Sequence, residues 1–209
     1  INDYGGARTL AQVSADTNRV MTNNLSNDTT YRMRNHDYVG HTWNSGDNAV
    51  SYWMPQGITG SEDGDPDESL GGRRLMIVSW YHKTESRPTK GARISIVDMD
   101  QSPPQYRHVL LAEPYRQGGG VNYRSAEYEN DDSDALHAGG IVWYGPYLYV
   151  ADTNVGMRVF DLTRMLRADV TNSSTIGVSG GQTHAAGYQY IVPQIAVYGR
   201  SKTVGQNSF

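Results

Sequence analysis

An internal repeat of short apolar runs is the feature that most constrains how this 209-residue chain can fold. Each copy opens on a glycine-containing segment and continues through two apolar runs, the second of which contains Gly-x-Arg and ends on Asp. The segments are 56–58, 75–79 and 91–98 in the first copy, and 139–141, 148–152 and 156–161 in the second. The first copy is longer because it carries extra residues in two loops, 61–69 and 83–90. Insertions confined to loops indicate one structural unit used twice.

The apolar runs have the length of β-strands. Each is rich in β-branched or aromatic residues and is bounded by Gly, Pro, Asn or Asp. The predicted strands are 49–54, 75–82, 92–99, 106–112, 140–143, 147–151, 157–162 and 188–192. Many short, evenly spaced strands are typical of a sandwich, a barrel or a propeller, and the repeat favours an all-β fold of the β-propeller class. A chance similarity between two segments of a β-sandwich is the alternative.

The chain divides at about residue 38 into two predicted regions. Residues 1–37 form a polar N-terminal arm that wraps around the body, and Leu10, Val13 and Val20 predict one short helical face within it. Residues 38–209 form the β-propeller blades. The segment 162–168 is the one further stretch for which the sequence predicts a helix.

The number of blades is smaller than a closed ring requires. Two blades are clear in the sequence, and a third unit begins at 188–194. Propellers usually carry about four to eight blades. We therefore predict an incomplete ring that is completed by a second polypeptide chain or by a missing C-terminal part. A small ring of irregular blades is the alternative.

Composition and charge exclude several functions. The formal net charge is −4, so no basic surface predicts binding to nucleic acid. The absence of Cys excludes disulfides, thiolate zinc sites and thiol catalysis. No run approaches the roughly 18 apolar residues of a membrane-spanning helix.

Three Asn-x-Ser/Thr triplets predict a secreted glycoprotein. They lie at 24–26, 27–29 and 172–174, and the chain begins at Ile1 without Met. Such triplets accept N-linked glycans on the surface of secreted proteins. The start at Ile1 predicts that a leader has been removed or that the chain is a processed fragment.

The segment 137–153, together with 156–162, resembles the blade core of secreted bacterial β-propellers of the actinobacterial type. More distantly it is similar to the gluconolactonase and strictosidine-synthase-like propellers, and the resemblance extends over about 38–200. In lactonase-type members, carboxylates and an Asn in the channel hold a divalent cation that polarises an ester and activates water. The resemblance implies that Asp152 supplies such a carboxylate. It is incomplete because no Glu occupies an obvious channel position.

The first strand of each propeller blade lines the central channel, where residues from all blades converge. The positions that open the repeats are Gln56, His137 and Gln194. With Asp152 they form the predicted ligand set for a divalent metal ion, calcium being favoured because amide and carboxylate oxygens suit it. His137 is also the predicted catalytic residue, as a ligand or a general base. As alternatives, these side chains satisfy backbone groups at strand starts, and Asp152 stabilises an ordinary turn.

Two acidic loops and a set of aromatic residues are further candidates. The loops 62–68 and 129–134 could bind calcium through oxygen ligands, or could be solvated surface loops. Aromatic residues cluster at strand ends, where they could stack on sugar rings or pack between blades. They are Trp43, Tyr52, Trp53, Trp80, Tyr81, Trp143 and Tyr144.

The sequence therefore predicts a secreted β-propeller, and two functions fit it. The first is a metal-assisted hydrolase or lyase acting on an ester, lactone or carbohydrate at the central channel. The alternative is a non-catalytic module that binds a carbohydrate or a protein, and a third option is a scaffold in a larger assembly. The expected partners are the second chain and a small-molecule or carbohydrate ligand, with no nucleic acid and no membrane.

Overall fold

The computed structural model describes residues 6–22, 40–83, 90–126 and 136–199. Within these ranges the chain is built mostly of strands, which confirms the all-β prediction. The strands are β1 Ala7–Arg8, β2 Arg19–Val20, β3 Trp53–Gly60, β4 Leu75–His82, β5 Ala92–Asp98, β6 Gln105–Gln117, β7 Gly120–Ser125, β8 Ile141–Tyr144, β9 Tyr147–Asp152, β10 Gly156–Asp161, β11 Met165–Arg167, β12 Ile176–Ser179, β13 Gln182–Ala185 and β14 Tyr190–Gly199. Three short helices accompany them, α1 Leu10–Ser14, α2 Ser45–Asn48 and α3 Ser61–Gly64. None of the helices in the described part of the chain has the length and apolar character needed to cross a membrane.

The main sheet has the strand order β3-β4-β5-β6-β14-β10-β9-β8. It consists of two antiparallel four-stranded groups, β3-β4-β5-β6 and β8-β9-β10-β14. A short parallel pairing of β14 with β6 joins them, with Ile191 opposite Leu110. The sheet curls until its two end strands meet, and the Trp143 amide on β8 donates a 3.0 Å hydrogen bond to Thr59 Oγ1 on β3. The result is a nearly closed, barrel-like sheet.

The third strands of the two groups, β5 and β10, carry the Gly-x-Arg segments of the sequence repeat. Each contains a buried arginine, Arg93 or Arg158, with 3% of its surface exposed. Each also ends on an aspartate whose carboxylate accepts a backbone N–H two residues later. The distances are 3.1 Å for Asp98 and 2.8 Å for Asp161. The two aspartates have corresponding places, because each lies opposite the first residue of the preceding strand. The arginines do not, because Arg93 lies five residues before Asp98 whereas Arg158 lies three before Asp161. Arg158 therefore matches Ser95 in register.

The glycines that open the two copies lie against each other. A Cβ atom on Gly57 would be 2.8 Å from the backbone oxygen of Gly139 and 3.1 Å from Ser79 Oγ. Real Cβ atoms essentially never approach backbone so closely. The contact between the first strands of the two groups therefore requires glycine at position 57.

The main core lies between the curled strands and includes the N-terminal helix. Leu10 and Val13 of α1 pack with residues such as Ile94 and Phe160. The helix begins with a capping box in which Thr9 and Gln12 satisfy each other's backbone N–H groups. The helix predicted at Leu10 and Val13 is confirmed, but Val20 lies in β2 and is exposed.

Two sequence predictions of local structure are wrong. Residues 162–168 contain strand β11 rather than a helix, because Met165 and Leu166 are buried while β11 pairs with β1 and β14. The strand expected at 49–54 starts only at Trp53, since α2 and a bend occupy the preceding residues. Strands β7, β12 and β13 were not predicted.

Candidate functional site

A cavity of about 580 Å³ is the main candidate site. Its wall combines β2, α2, β5 and β6 with the segment 186–189, which precedes β14. Charged and polar side chains dominate this wall, among them Arg19, Asp47, Arg93, Arg107 and His108. The cavity thus joins parts of the chain that are far apart in sequence.

Arg93 is the buried cation of this cavity. Its guanidinium carbon lies 4.3 Å from the ring centre of Trp53 and 5.0 Å from that of Trp80. Nη1 donates a 3.1 Å hydrogen bond to the Tyr188 hydroxyl. Nε and Nη2 are buried and have no hydrogen-bond partner among the described residues. The nearest carboxylate oxygen in an ion pair with Arg93, Asp47 Oδ1, is 3.9 Å from Nη2. Two adjacent donors of a buried guanidinium are therefore open in the sense that no described residue accepts a hydrogen bond from them.

Asp47 is held by other partners. Its Oδ2 accepts a 2.5 Å hydrogen bond from the Tyr106 hydroxyl and lies 2.9 Å from Arg19 Nε. Its Oδ1 lies 3.1 Å from His108 Nε2. Burial raises the pKa of Asp47, but His108, Tyr106 and Arg19 outweigh burial and hold that pKa well below its ordinary value. Asp47 is therefore ionised at neutral pH, and its negative charge is largely neutralised by the ion pair with Arg19.

His108 connects Asp47 to the core. The Trp80 indole N–H donates to Ser95 Oγ at 2.7 Å, and Ser95 Oγ lies 2.8 Å from His108 Nδ1. Burial lowers the pKa of His108 to about 4, so the ring is neutral at pH 7. Because Ser95 Oγ already accepts from Trp80, we assign its proton to the bond with Nδ1, which leaves the ring proton on Nε2, facing Asp47. The 3.1 Å contact to Asp47 is short but poorly aligned for a hydrogen bond.

The order Ser95–His108–Asp47 has the residue types of a hydrolase triad, but its burial differs. Ser95 has no exposed surface, and its oxygen accepts the Trp80 indole N–H. A nucleophilic serine must reach its substrate. Ser95 and His108 therefore form a line of contacts that ends at the Asp47 carboxylate on the cavity wall.

Positive charge exceeds negative charge on the cavity wall. Arg107 pairs with Asp16 at 3.0 Å, and Arg19 pairs with Asp47. Arg93 and Lys90 also line the cavity, and within the described residues Lys90 has no ion pair. The cavity is therefore cationic in a chain whose net charge is −4.

The structure separates the sequence-predicted ligands into two pairs. His137 is exposed and stacks on Tyr81, with ring centres 4.4 Å apart, and Gln56 is exposed and donates to the Pro55 carbonyl. Asp152 and Gln194 instead share Arg158. Its Nε lies 2.6 Å from Asp152 Oδ2, and its Nη1 lies 3.0 Å from Gln194 Oε1. A guanidinium thus occupies the space between two of the predicted metal ligands.

Asp152 also stabilises the turn that follows it, which is the alternative role that the sequence suggested. Its Oδ1 accepts the backbone N–H groups of Asn154 at 2.9 Å and Val155 at 3.2 Å. Across the described ranges, no three His, Asp or Glu side chains form a group that could hold a metal ion. The calcium set of Gln56, His137, Asp152 and Gln194 stays a prediction.

The acidic loops and glycosylation triplets are only partly described. In loop 62–68, Asp63 accepts from the Thr59 hydroxyl at 2.8 Å, and Asp65 accepts the Asp67 N–H at 3.0 Å. In the triplet 172–174, Asn172 Oδ1 accepts the N–H groups of Ser174 and Thr175. The loop 129–134 and the triplets at 24–29 lie outside the described residues.

The aromatic residues divide into packing and exposed groups. Trp53, Trp80 and Trp143 are buried, so they serve as packing. Tyr52 and Tyr144 are exposed, and Tyr52 forms part of the cavity wall. Tyr52 is thus the exposed aromatic ring beside Arg93 that a ligand could contact.

Comparison with protein-family models finds no match for this chain. Searches of curated proteins and of solved structures also find no match. The resemblance of 137–162 to secreted propellers stays a prediction.

Proposed function

We propose that this chain is a propeller-type protein that binds an acidic carbohydrate, with the sugar carboxylate held by Arg93. The observation that carries the proposal is a buried guanidinium whose Nε and Nη2 have no hydrogen-bond partner. Buried charges are normally paired, because leaving water costs several kcal/mol that only a counter-ion and hydrogen bonds offset. An anionic ligand group would supply what Arg93 lacks.

The open donors favour a planar oxyanion. Nε and Nη2 point from the same side of a guanidinium and match the two oxygens of a carboxylate in a bidentate pair. Trp53 and Trp80 lie against the guanidinium and limit its movement. Lys90, also on the cavity wall, would add a second positive charge. A carboxylate would therefore meet an oriented fork of donors in a cationic cavity.

The other residues of the cavity wall favour a sugar as the molecule that contains this carboxylate. Asn18, Asn44 and Gln189 offer amide groups, and Tyr52 offers an exposed aromatic ring. Amides suit sugar hydroxyls, and aromatic rings suit the apolar faces of sugars. A volume of about 580 Å³ lies within the range of small-ligand sites.

The propeller part of the proposal is supported by the repeat. Asp98 and Asp161 have corresponding places in the two four-stranded groups, and Gly57 meets Gly139 where the first strands approach. Adjacent blades of a ring would produce such contacts. Secretion and a second chain that completes the ring belong to the same proposal.

Metal-assisted hydrolysis at His137 stays a prediction from the sequence. We favour binding because the open donors of Arg93 are a specific observation, while His137 stacks on Tyr81 at the surface.

The test is titration calorimetry with D-glucuronate and D-galacturonate, using D-glucose and acetate as probes of the sugar and the carboxylate alone. We expect a uronate to bind more tightly than either probe. Arg93→Gln should abolish this binding, and Arg93→Lys, which keeps the charge but loses the fork, should weaken it at least tenfold. Arg164→Gln, at an exposed position outside this cavity, is the matched control. Equal uronate binding by Arg93→Gln and wild type would refute the proposal.

A further inference from the structure

A second cavity adjoins the cationic one. It has a volume of about 450 Å³, and its wall includes Asp169, Val170, Gln182, Thr183 and Gln189. Val170 and Gln189 line both cavities. The two spaces therefore share a wall, and a ligand extending past these residues would enter both.

Hydrogen bonds hold Gln189, one of the two residues of the shared wall, in place. Gln189 Oε1 accepts from Arg107 Nη1 at 2.9 Å, and its Nε2 donates to Asp16 Oδ2 at 3.1 Å. These bonds hold the amide in one orientation. Val170 is 52% exposed and offers an apolar surface between the cavities. The wall thus carries one ordered amide and one apolar side chain.

The second cavity has an unpaired polar group buried in its wall and no excess of charge. Thr183 is 4% exposed, and its buried Oγ1 has no hydrogen-bond partner among the described residues. Arg167 and Asp169 contribute one charge of each sign. A neutral polar unit suits such a surface, whereas the cationic cavity suits an acidic one.

We infer that the ligand is an oligosaccharide of at least two units, with its acidic unit at Arg93 and a neutral unit in the second cavity beside Thr183. This inference rests on the proposed function. Two cavities with one common wall match two sugars joined by a single glycosidic bond. The hydroxyl of Thr183 would hydrogen-bond to the neutral unit and would make no contact with the acidic one.

The experiment compares a free uronic acid, an aldobiouronic acid in which that uronic acid is linked to a neutral sugar, and a neutral disaccharide. We expect the aldobiouronic acid to bind at least tenfold more tightly than the free uronic acid. Thr183→Val should remove most of that gain and leave the Kd of the free uronic acid unchanged. Thr183→Ser, which keeps the hydroxyl, should retain the gain. Thr183→Val leaves no described group unpaired, because Oγ1 has no partner within the part of the chain that the structure describes.

The outcomes separate this inference from the proposed function. If the free and linked uronic acids bind equally and Arg93→Gln abolishes both, the inference is wrong and the proposed function stands. If no uronate binds, both are wrong. A gain that Thr183→Val leaves intact would also overturn the inference, since it would place the neutral unit elsewhere.

Discussion

Arg93 and Arg158 are buried arginines on the third strands of the two four-stranded groups, but only Arg158 is fully engaged by carboxylates. Arg158 lies 2.6 Å from Asp152 and 2.9 Å from Glu113, whereas the Asp47 oxygen near Arg93 is 3.9 Å away. Both arginines are 3% exposed. The arginine of the Gly-x-Arg segment is therefore paired with carboxylates in one group and leaves two donors without a hydrogen-bond partner in the other.

This difference predicts that the same substitution destabilises the fold much more at Arg158 than at Arg93. Arg158→Met would leave Asp152 and Glu113 without their cation, and breaking a buried pair in this way costs about 3–5 kcal/mol. Arg93→Met should cost about 1 kcal/mol or less, because it removes a desolvated charge that has few partners. Urea unfolding of the two variants measures both values. An equal loss of unfolding free energy would contradict the distinction.

His108 should make stability fall as the pH is lowered. Burial lowers its pKa to about 4 in the folded chain, against 6.5 when unfolded. Below pH 6.5 the unfolded state therefore binds the proton more readily, so stability is full above that pH and declines towards pH 4. The difference between the folded and unfolded pKa values of His108 corresponds to about 3 kcal/mol of unfolding free energy. The pKa of His82 is also lowered, mainly by burial, and it acts in the same direction.

The pH effect is measured as urea-unfolding free energy at intervals between pH 4 and pH 8. His108→Gln, which keeps an N–H near Asp47 but does not titrate, is the control. Its profile should be flatter than that of wild type, and the difference isolates His108 from His82. Parallel profiles would show that His108 is not the titrating group.

The fold could be predicted from the sequence where strands are apolar and bounded by turn residues. The strand predicted at 75–82 is observed at Leu75–His82. Short strands such as β12 and β13 could not be predicted, because their pairing with each other and the bond from Val178 N–H to the Asn122 side chain hold them in place. These partners depend on the tertiary fold.

The candidate site was missed for a similar reason. Ser95 meets His108, and Trp80 meets Arg93, through the registers of β4, β5 and β6, which composition does not reveal. Asp47 comes from a separate segment, α2. The usable signal was an ionisable residue inside an otherwise apolar strand. Arg93 and His108 are such residues, and buried ionisable groups commonly mark a functional site.

Gly57→Ala should destabilise the contact between the first strands. The new methyl group would meet the Gly139 backbone oxygen at 2.8 Å, and overpacking of this kind costs about 1–3 kcal/mol. Gly120→Ala is the control, because the nearest atom to its Cβ would be 3.7 Å away. Thermal unfolding compares the two variants. A melting temperature for Gly57→Ala that equals that of Gly120→Ala would show that the strands can separate without cost.

Removal of metal ions tests whether Arg93 or a bound calcium ion holds an acidic ligand. If Arg93 binds the carboxylate directly, EDTA treatment should leave the Kd for uronate unchanged, because no step of that binding uses a metal. If calcium at Gln56, His137, Asp152 and Gln194 holds the ligand, EDTA should abolish binding, and added calcium should restore it. His137→Ala separates the two cases further, since His137 contacts Tyr81 and does not line the Arg93 cavity. We expect His137→Ala to bind uronate as wild type does, and a loss of binding matched by loss of bound calcium would instead favour the metal-assisted function predicted from the sequence.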